Sequence, residues 1–188
     1  MKALTRIVSA ATATVALTGC AALVTTQALA TPKPASAAAK CPTNWGVKAK
    51  VVNRAETEHT AKVRGVRAGQ HACFDRLVVD IGAGRRPGYR VQYVHKLHAQ
   101  GSGKVISLPG HAVLDITLTA NASANFPGPG HSVVSVTGFS ALRKVVSAGS
   151  FEGFTEIGAG VRAKLPFRVE WLAGPGKHSR LVIDIAKH

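Results

Sequence analysis

The chain is short of acid. Against 24 lysines and arginines it carries nine aspartates and glutamates, a formal net charge of +15 over 188 residues. A surplus of that sign disfavours cationic partners and favours anionic ones, unless basic residues scattered over the surface serve solubility alone. Aromatic residues are also scarce, with six Phe, two Trp and two Tyr, which leaves little for a stacking platform that holds neutral sugars. There is no G-x-S-x-G elbow, no H-E-x-x-H, no P-loop and no dinucleotide fingerprint. Eight histidines are dispersed; only His95 and His98 lie close together, and no third ligand accompanies them. The expectation is a non-enzymatic chain with no catalytic residue, no metal and no cofactor. Beyond residue 40, no window of twelve residues holds a helical period. One turn near 140–145 is the place where a helical turn would fit.

What is present begins with an address. Lys2 and Arg6 form a positive n-region, residues 7–24 carry no charge, and Ala28-Leu29-Ala30 and Ala35-Ser36-Ala37 are two A-x-A cleavage patterns. This reads as a secretory signal peptide over residues 1–30. The run is rich in Thr, Ala and Gly rather than in the Leu and Ile of a membrane span. Leu17-Thr18-Gly19-Cys20 also resembles a bacterial lipobox, in which case the signal ends at 19 and Cys20 carries acyl chains. Both processings remain open, and both place the protein outside the cytoplasm, secreted or lipid-anchored at the cell surface. Residues 31–40, TPKPASAAAK, then form a Pro/Ala tether. Export removes Lys2 and Arg6 and leaves 22 basic residues against nine acidic, a net charge of +13. It also removes nucleic acid from the expected partners. The anions outside a bacterial cell are wall polymers, phospholipid headgroups and acidic polysaccharides.

Cysteine usage agrees with that compartment. With Cys20 assigned to the signal or the lipid, Cys41 and Cys73 remain as an even pair in an exported chain, expected to form a disulfide. A two-cysteine metal site would need further ligands at C-x-x-C or H-x-x-x-H spacing, and the sequence has none.

The mature part, residues 41–188, is one domain by length. Short alternating segments recur along it. Val47, Ala49 and Val51 alternate with Lys48, Lys50 and Val52. Residues 54–71 are polar and read as a loop with one weak strand. Strands are expected at 74–82, 89–94, 105–108, 112–120, 133–136, 142–147, 166–172 and 180–186. Gly153, Gly158 and Gly160 suggest tight turns or a bulge after Phe151. Eight or nine short strands with turn residues between them predict an all-β domain of β-sandwich type. One phrase occurs twice: Arg76-Leu77-Val78-Val79-Asp80-Ile81 and Arg180-Leu181-Val182-Ile183-Asp184-Ile185. If the two strands are neighbours, Arg–Asp pairs can form between them.

The second copy, preceded by Phe167-Arg168-Val169 and Gly174-Pro175-Gly176, resembles the closing strands of AMIN domains. The span from Cys41-Pro42-Thr43-Asn44-Trp45-Gly46 onward resembles the AMIN-like domain of exported bacterial proteins and lipoproteins. Its marks are residues 71–80 (HACFDRLVVD), residues 88–94 (GYRVQYV) and Gly149-Ser150-Phe151-Glu152-Gly153. The resemblance implies a β-sandwich. AMIN domains proper are associated with envelope localisation through peptidoglycan binding, so a wall ligand is what the likeness implies, without an amidase domain in this chain to be targeted.

The candidate binding site is the basic loop Arg85, Arg86, Tyr89 and Arg90, with Tyr93 and Lys96 beyond it. Guanidinium groups near an aromatic face suit phosphate or carboxylate on a sugar polymer. Glu152 and Glu156 flank Gly153-Phe154-Thr155, but sequence proximity does not make a facing carboxylate pair, and Glu152 is expected in a turn. The expected function is a cell-envelope domain that binds anionic cell-wall polymer or peptidoglycan, with membrane contact only through a lipid on Cys20. An interaction module for another envelope protein and a secreted enzyme of unrecognised type are the alternatives.

Overall fold

The computed structural model describes residues 41, 44–54, 61–82 and 86–188. The signal segment, Cys20, the tether and Arg85 lie outside the described residues.

Thirteen strands form the described part, and it contains no helix. They are β1 (Lys50–Val52), β2 (Lys62–Gln70), β3 (Phe74–Ile81), β4 (Tyr89–Val94), β5 (Leu97–His98), β6 (Val105–Ile106), β7 (Ala112–Leu118), β8 (Asn121–Ala122), β9 (Ser132–Val134), β10 (Leu142–Phe151), β11 (Phe154–Val161), β12 (Phe167–Ala173) and β13 (Ser179–Ala186). A six-stranded sheet runs β1-β4-β7-β11-β10-β9 and a five-stranded sheet β12-β13-β3-β2-β8, with β5 and β6 as a separate pair. The number exceeds eight or nine because β5 and β8, of two residues each, are too short for periodicity to reveal, and because the full strands β2 and β11 do not show a clean period of two.

Alternation dictates the inner faces. Leu77, Val79 and Ile81 of β3 and Leu181, Ile183 and Ile185 of β13 are buried in one cluster with Leu114, Ile116 and Leu118 of β7 and Ile157, Ala159 and Val161 of β11. The core therefore lies between the two large sheets, as in a sandwich. The repeated phrases sit side by side. β3 and β13 are antiparallel, with Arg76 opposite Asp184 and Asp80 opposite Arg180. An antiparallel pairing of two near-identical phrases sets each Arg opposite the other's Asp, and one of the two pairs forms: Arg76 bonds to Asp184, whereas Asp80 bonds to Arg67 of β2 and Arg180 to the Ala173 carbonyl.

Two segments differ from expectation. Residues 62–70, read as one weak strand within a polar loop, form a nine-residue strand. Its register slips between Val63 and Gly65, so the buried Val63 and Val66 are three apart and hide the period of two. The 154–161 segment is a full strand in mid-sheet rather than a set of turns. Its glycines answer to a close neighbour: a Cβ on Gly158 would stand 2.1 Å from Leu97 Cδ2, and one on Gly160 would stand 2.3 Å from the Pro109 carbonyl oxygen. The chain from β5 to residue 110 lies over this face, and Leu97 packs there with Val146 and Ala148 in a second apolar cluster. Near 140–145 the chain enters β10, a strand and not a helical turn.

Candidate cleft on the outer face of the six-stranded sheet

The covering segment leaves part of that outer face open. A cleft of about 580 Å³ remains, lined by Asn53, Arg54, Tyr89, Arg90, Gln92, Asp115, Thr117, Thr119, Phe154 and Glu156, with Val52 at its edge. Strand alternation aims the polar groups of β4 and β7 outward, while Tyr89 borders the cleft from the buried side. Arg90 and Gln92 leave β4 on the side opposite Val91, and Asp115 and Thr117 leave β7 opposite Leu114 and Ile116. Register then brings distant residues together. Arg90 lies opposite Thr117, Gln92 opposite Asp115, and Thr117 opposite Glu156.

Asp115 and Glu156 form the floor. Asp115 is 6% exposed. Burial comes first, with the neighbouring Glu156 charge and hydrogen bond after it, in pushing the Asp115 carboxyl up to about 7, against hydrogen bonds from Gln92 and Thr117. Gln100, near the start of the covering segment, donates to Glu156 Oε2. Glu152 is not the partner of Glu156. It sits in the β10–β11 turn with φ +47°, next to Gly153 at φ +84°, as a two-residue hairpin turn of positive φ requires.

The sequence-derived residues divide. Arg90 is exposed and lines the cleft. Arg86 is exposed but does not line the cleft; its backbone carbonyl accepts from Arg54 Nη1 at 3.1 Å, and Arg54 is the second guanidinium at the rim. Tyr89 turns inward, packing edge-on to Trp171 at 6.1 Å. Tyr93 also turns to the core. Its hydroxyl donates to the Leu165 carbonyl at 2.7 Å and accepts from the Leu165 N–H at 3.0 Å. Burial pushes this phenol up to about 12. Neither ring offers a free face beside the guanidinium groups, because Tyr89, Val91 and Tyr93 share the face that the sandwich buries. Lys96 lies past the far end of β4, in a different hollow with His95 and His111. Arg54, Gln92 and Asp115 were not singled out as candidates from sequence. The signal for Asp115 was its place on the polar face of an alternating strand, but its neighbour Glu156 is set by pairing across β11.

Among the described residues no three His, Cys, Asp or Glu side chains group to hold a metal ion. What the cleft can do is bind: guanidinium donors at the rim, and amide, hydroxyl and carboxyl groups of both senses on the floor.

The carboxyl pair carries a pH dependence. A folded-state value near 7 exceeds the ordinary aspartate value of about 4. The folded protein therefore holds a proton that the unfolded chain has lost, and stability falls as pH rises through that window. Asp115→Asn should flatten the slope between about pH 4 and 7. A three-unit shift corresponds to at most about 4 kcal/mol. Hydrogen-bonding the new buried amide takes back part of it, so a gain of about 2 kcal/mol at pH 8 is expected, read from urea melts at several pH values. A variant as pH-dependent as the parent would refute the assignment.

The AMIN-like domain family matches residues 61–187. Comparison with curated proteins and comparison with solved structures each gave no match. The family match covers well over half of the chain and spans β2 through β13, the strands that build both large sheets except β1. The chain thus belongs to the AMIN-like domain family, an envelope-associated group related to peptidoglycan.

Proposed function

We propose that this protein is an exported, non-catalytic binding module that holds an anionic wall polymer of the peptidoglycan kind in the cleft beside Arg54, Arg86 and Arg90. The observation that carries the reading is the composition of that cleft. A wall glycan offers carboxylates, amides and hydroxyls. Two guanidinium groups, Arg54 and Arg90, match the carboxylates, with Arg86 next to them in the chain and bonded to Arg54 through its carbonyl, and Asn53, Gln92, Thr117 and the Asp115–Glu156 floor match amides and hydroxyls. Phe154, 36% exposed, adds one apolar contact beside them. The chain's charge of +13 after loss of the signal draws such a polymer in. Secretion or a lipid on Cys20 would equally present the cleft to the wall.

The carboxyl pair favours binding over catalysis. Glycosidase carboxyls stand about 5–9.5 Å apart and bracket the bond to be broken, whereas the Glu156 charge lies close enough to the buried Asp115 to help hold a proton on it. A proton-sharing dyad activates water in aspartic proteases, but there both groups face the substrate. Here Asp115 is buried and Gln100 already holds Glu156.

Retention on purified walls tests the reading. Arg54, Arg86 and Arg90 changed together to Ser should lose about tenfold in affinity, the loss of one or two charge-assisted hydrogen bonds. Lys62, Lys104 and Lys177, all exposed and remote from the cleft, serve as the matched control. Salt should weaken the parent's retention as the Debye length falls from ~10 Å at 0.1 M to ~3 Å at 1 M. Equal losses in both triples would mean diffuse charge and no site. Absence of retention at low salt would overturn the proposal and leave the protein-partner alternative in front.

A further inference from the structure

The cleft beside Arg90 holds charges of both signs that do not meet. Arg90 lies opposite Thr117, and Thr117 opposite Glu156, so all three share the outer face. The backbones of Arg90 and Glu156 therefore stand two strand spacings apart, about 9–10 Å. Among the described residues, Arg54, Arg90 and Glu156 enter no ion pair. Arg54 donates to the neutral Arg86 carbonyl, and Glu156 accepts from the neutral amide of Gln100. The charge that acts on the buried Asp115 carboxyl is that of Glu156 and not that of either arginine. A purely anionic ligand would pair with the rim and leave the Glu156 charge facing it, short of water and of a partner, which is costly.

We infer that the cleft takes a peptide that carries both a carboxylate, held by Arg54 and Arg90, and an aliphatic side chain ending in a free ammonium group, held by Glu156; this rests on the wall-polymer reading and narrows it to the peptide of that polymer.

A ligand with both charges satisfies both sides of the cleft at once. The apolar surface lies where such a side chain would need it. Phe154 and Glu156 are two apart on β11, on one face and about 7 Å from each other. Phe154 is 36% exposed, lines the cleft, and pairs across the hairpin with Phe151, 50% exposed. A methylene chain lying along these rings brings its ammonium to the carboxylate. Between the charged ends, Asn53 and Gln92 offer amide donors and acceptors to a peptide bond. An N-acetylated sugar has no cation and leaves Glu156 without a partner.

Calorimetric titration of the exported protein at about pH 7 and low salt tests this with four probes. They are N-acetyl-L-Ala-γ-D-Glu-L-Lys, the same peptide acetylated on its side-chain amine, and the tetramers of N-acetylglucosamine and of glucosamine. The first peptide should bind saturably, and the side-chain-acetylated one about tenfold more weakly, the loss of one charge-assisted hydrogen bond. Glu156→Gln keeps an oxygen for Gln100. It should erase that difference by weakening the first peptide alone, and its unchanged affinity for the acetylated peptide shows that the cleft is intact. Arg90→Ser should weaken both peptides alike. Glu152→Gln, in the hairpin turn and outside the cleft, should keep the full preference. Equal binding of the two peptides, or a preference that survives Glu156→Gln, would overturn the inference while retention on walls, and with it the wall-polymer reading, stands. Tighter binding of either tetramer than of the first peptide would move the site to the sugar chain and overturn it too, as would a protein retained by walls that binds no peptide. Failure of wall retention itself would remove both readings.

Discussion

Changing Arg76 and Arg168 together to Ala should destabilise the protein by about 3–5 kcal/mol, whereas Asp80→Ala should cost less than about 1 kcal/mol. Both experiments touch the same repeated phrase, yet their surroundings differ. Asp184 is fully buried, with 0% side-chain exposure. Arg76 meets it through two bonds of 2.6 and 2.8 Å, and Arg168 through a third at 2.9 Å. The guanidinium groups are themselves covered by rings: Arg168 stands 4.8 Å from the Trp45 centroid and Arg76 5.1 Å from that of Phe74. Removing both arginines leaves a carboxylate out of water with no opposite charge, the costly way to break a buried pair. Asp80 is 30% exposed and its partner Arg67 59%. Water replaces that pair at little loss. Urea midpoints with unchanged slopes measure both. Similar shifts for the two variants would contradict the account. Replacing Arg76, Arg168 and Asp184 together by apolar residues of similar volume should recover much of the loss, since the penalty lies in the orphaned charge.

Loss of the Cys41–Cys73 disulfide is the other large effect. The two cysteines are 32 residues apart in sequence and their sulfurs are bonded, with Cα atoms 5.2 Å apart. Closing a loop of that length restrains the unfolded chain by about 3–4 kcal/mol in the chain-entropy account. Cys41→Ser with Cys73→Ser should lower stability by that amount. The bond holds the entry of the domain against the five-stranded sheet, where Trp45 packs edge-on to Phe74 at 5.6 Å and the Gly46 carbonyl accepts the Phe167 N–H at 2.9 Å. The double variant should therefore also shift Trp emission under native conditions as Trp45 gains water. An unchanged midpoint, with and without reductant, would remove the disulfide from the stability of the fold.

How far such properties can be read without coordinates depends on their range along the chain. The all-β class, the strands of four residues or more that alternate cleanly, and the inward faces of β3, β7 and β13 follow from period two, a property of one strand alone. The cysteine pair followed from compartment and parity. Where the local period breaks, the reading failed. The slip between Val63 and Gly65 made β2 read as no more than one weak strand in a loop, and the glycines of β11 read as turns because their reason, the overlying Leu97 and Pro109, lies about fifty to sixty residues away.

The candidate site shows the same division. That Arg90 and Tyr89 point to opposite faces was legible from alternation; which face the second sheet would bury was not, and burial took Tyr89 and Tyr93 out of the binding surface. The sequence alone determined a basic β domain with an export signal pattern, a repeated strand and an even cysteine pair, because composition and alternation are local. Only the tertiary structure decided that Asp184 is buried beneath two arginines while Asp80 stays wet. It alone set Asp115 against Glu156 across the β7–β11 pairing. Strand pairing joins residues tens of positions apart, and the burial that sets the strength of a charge exists only once both sheets have closed.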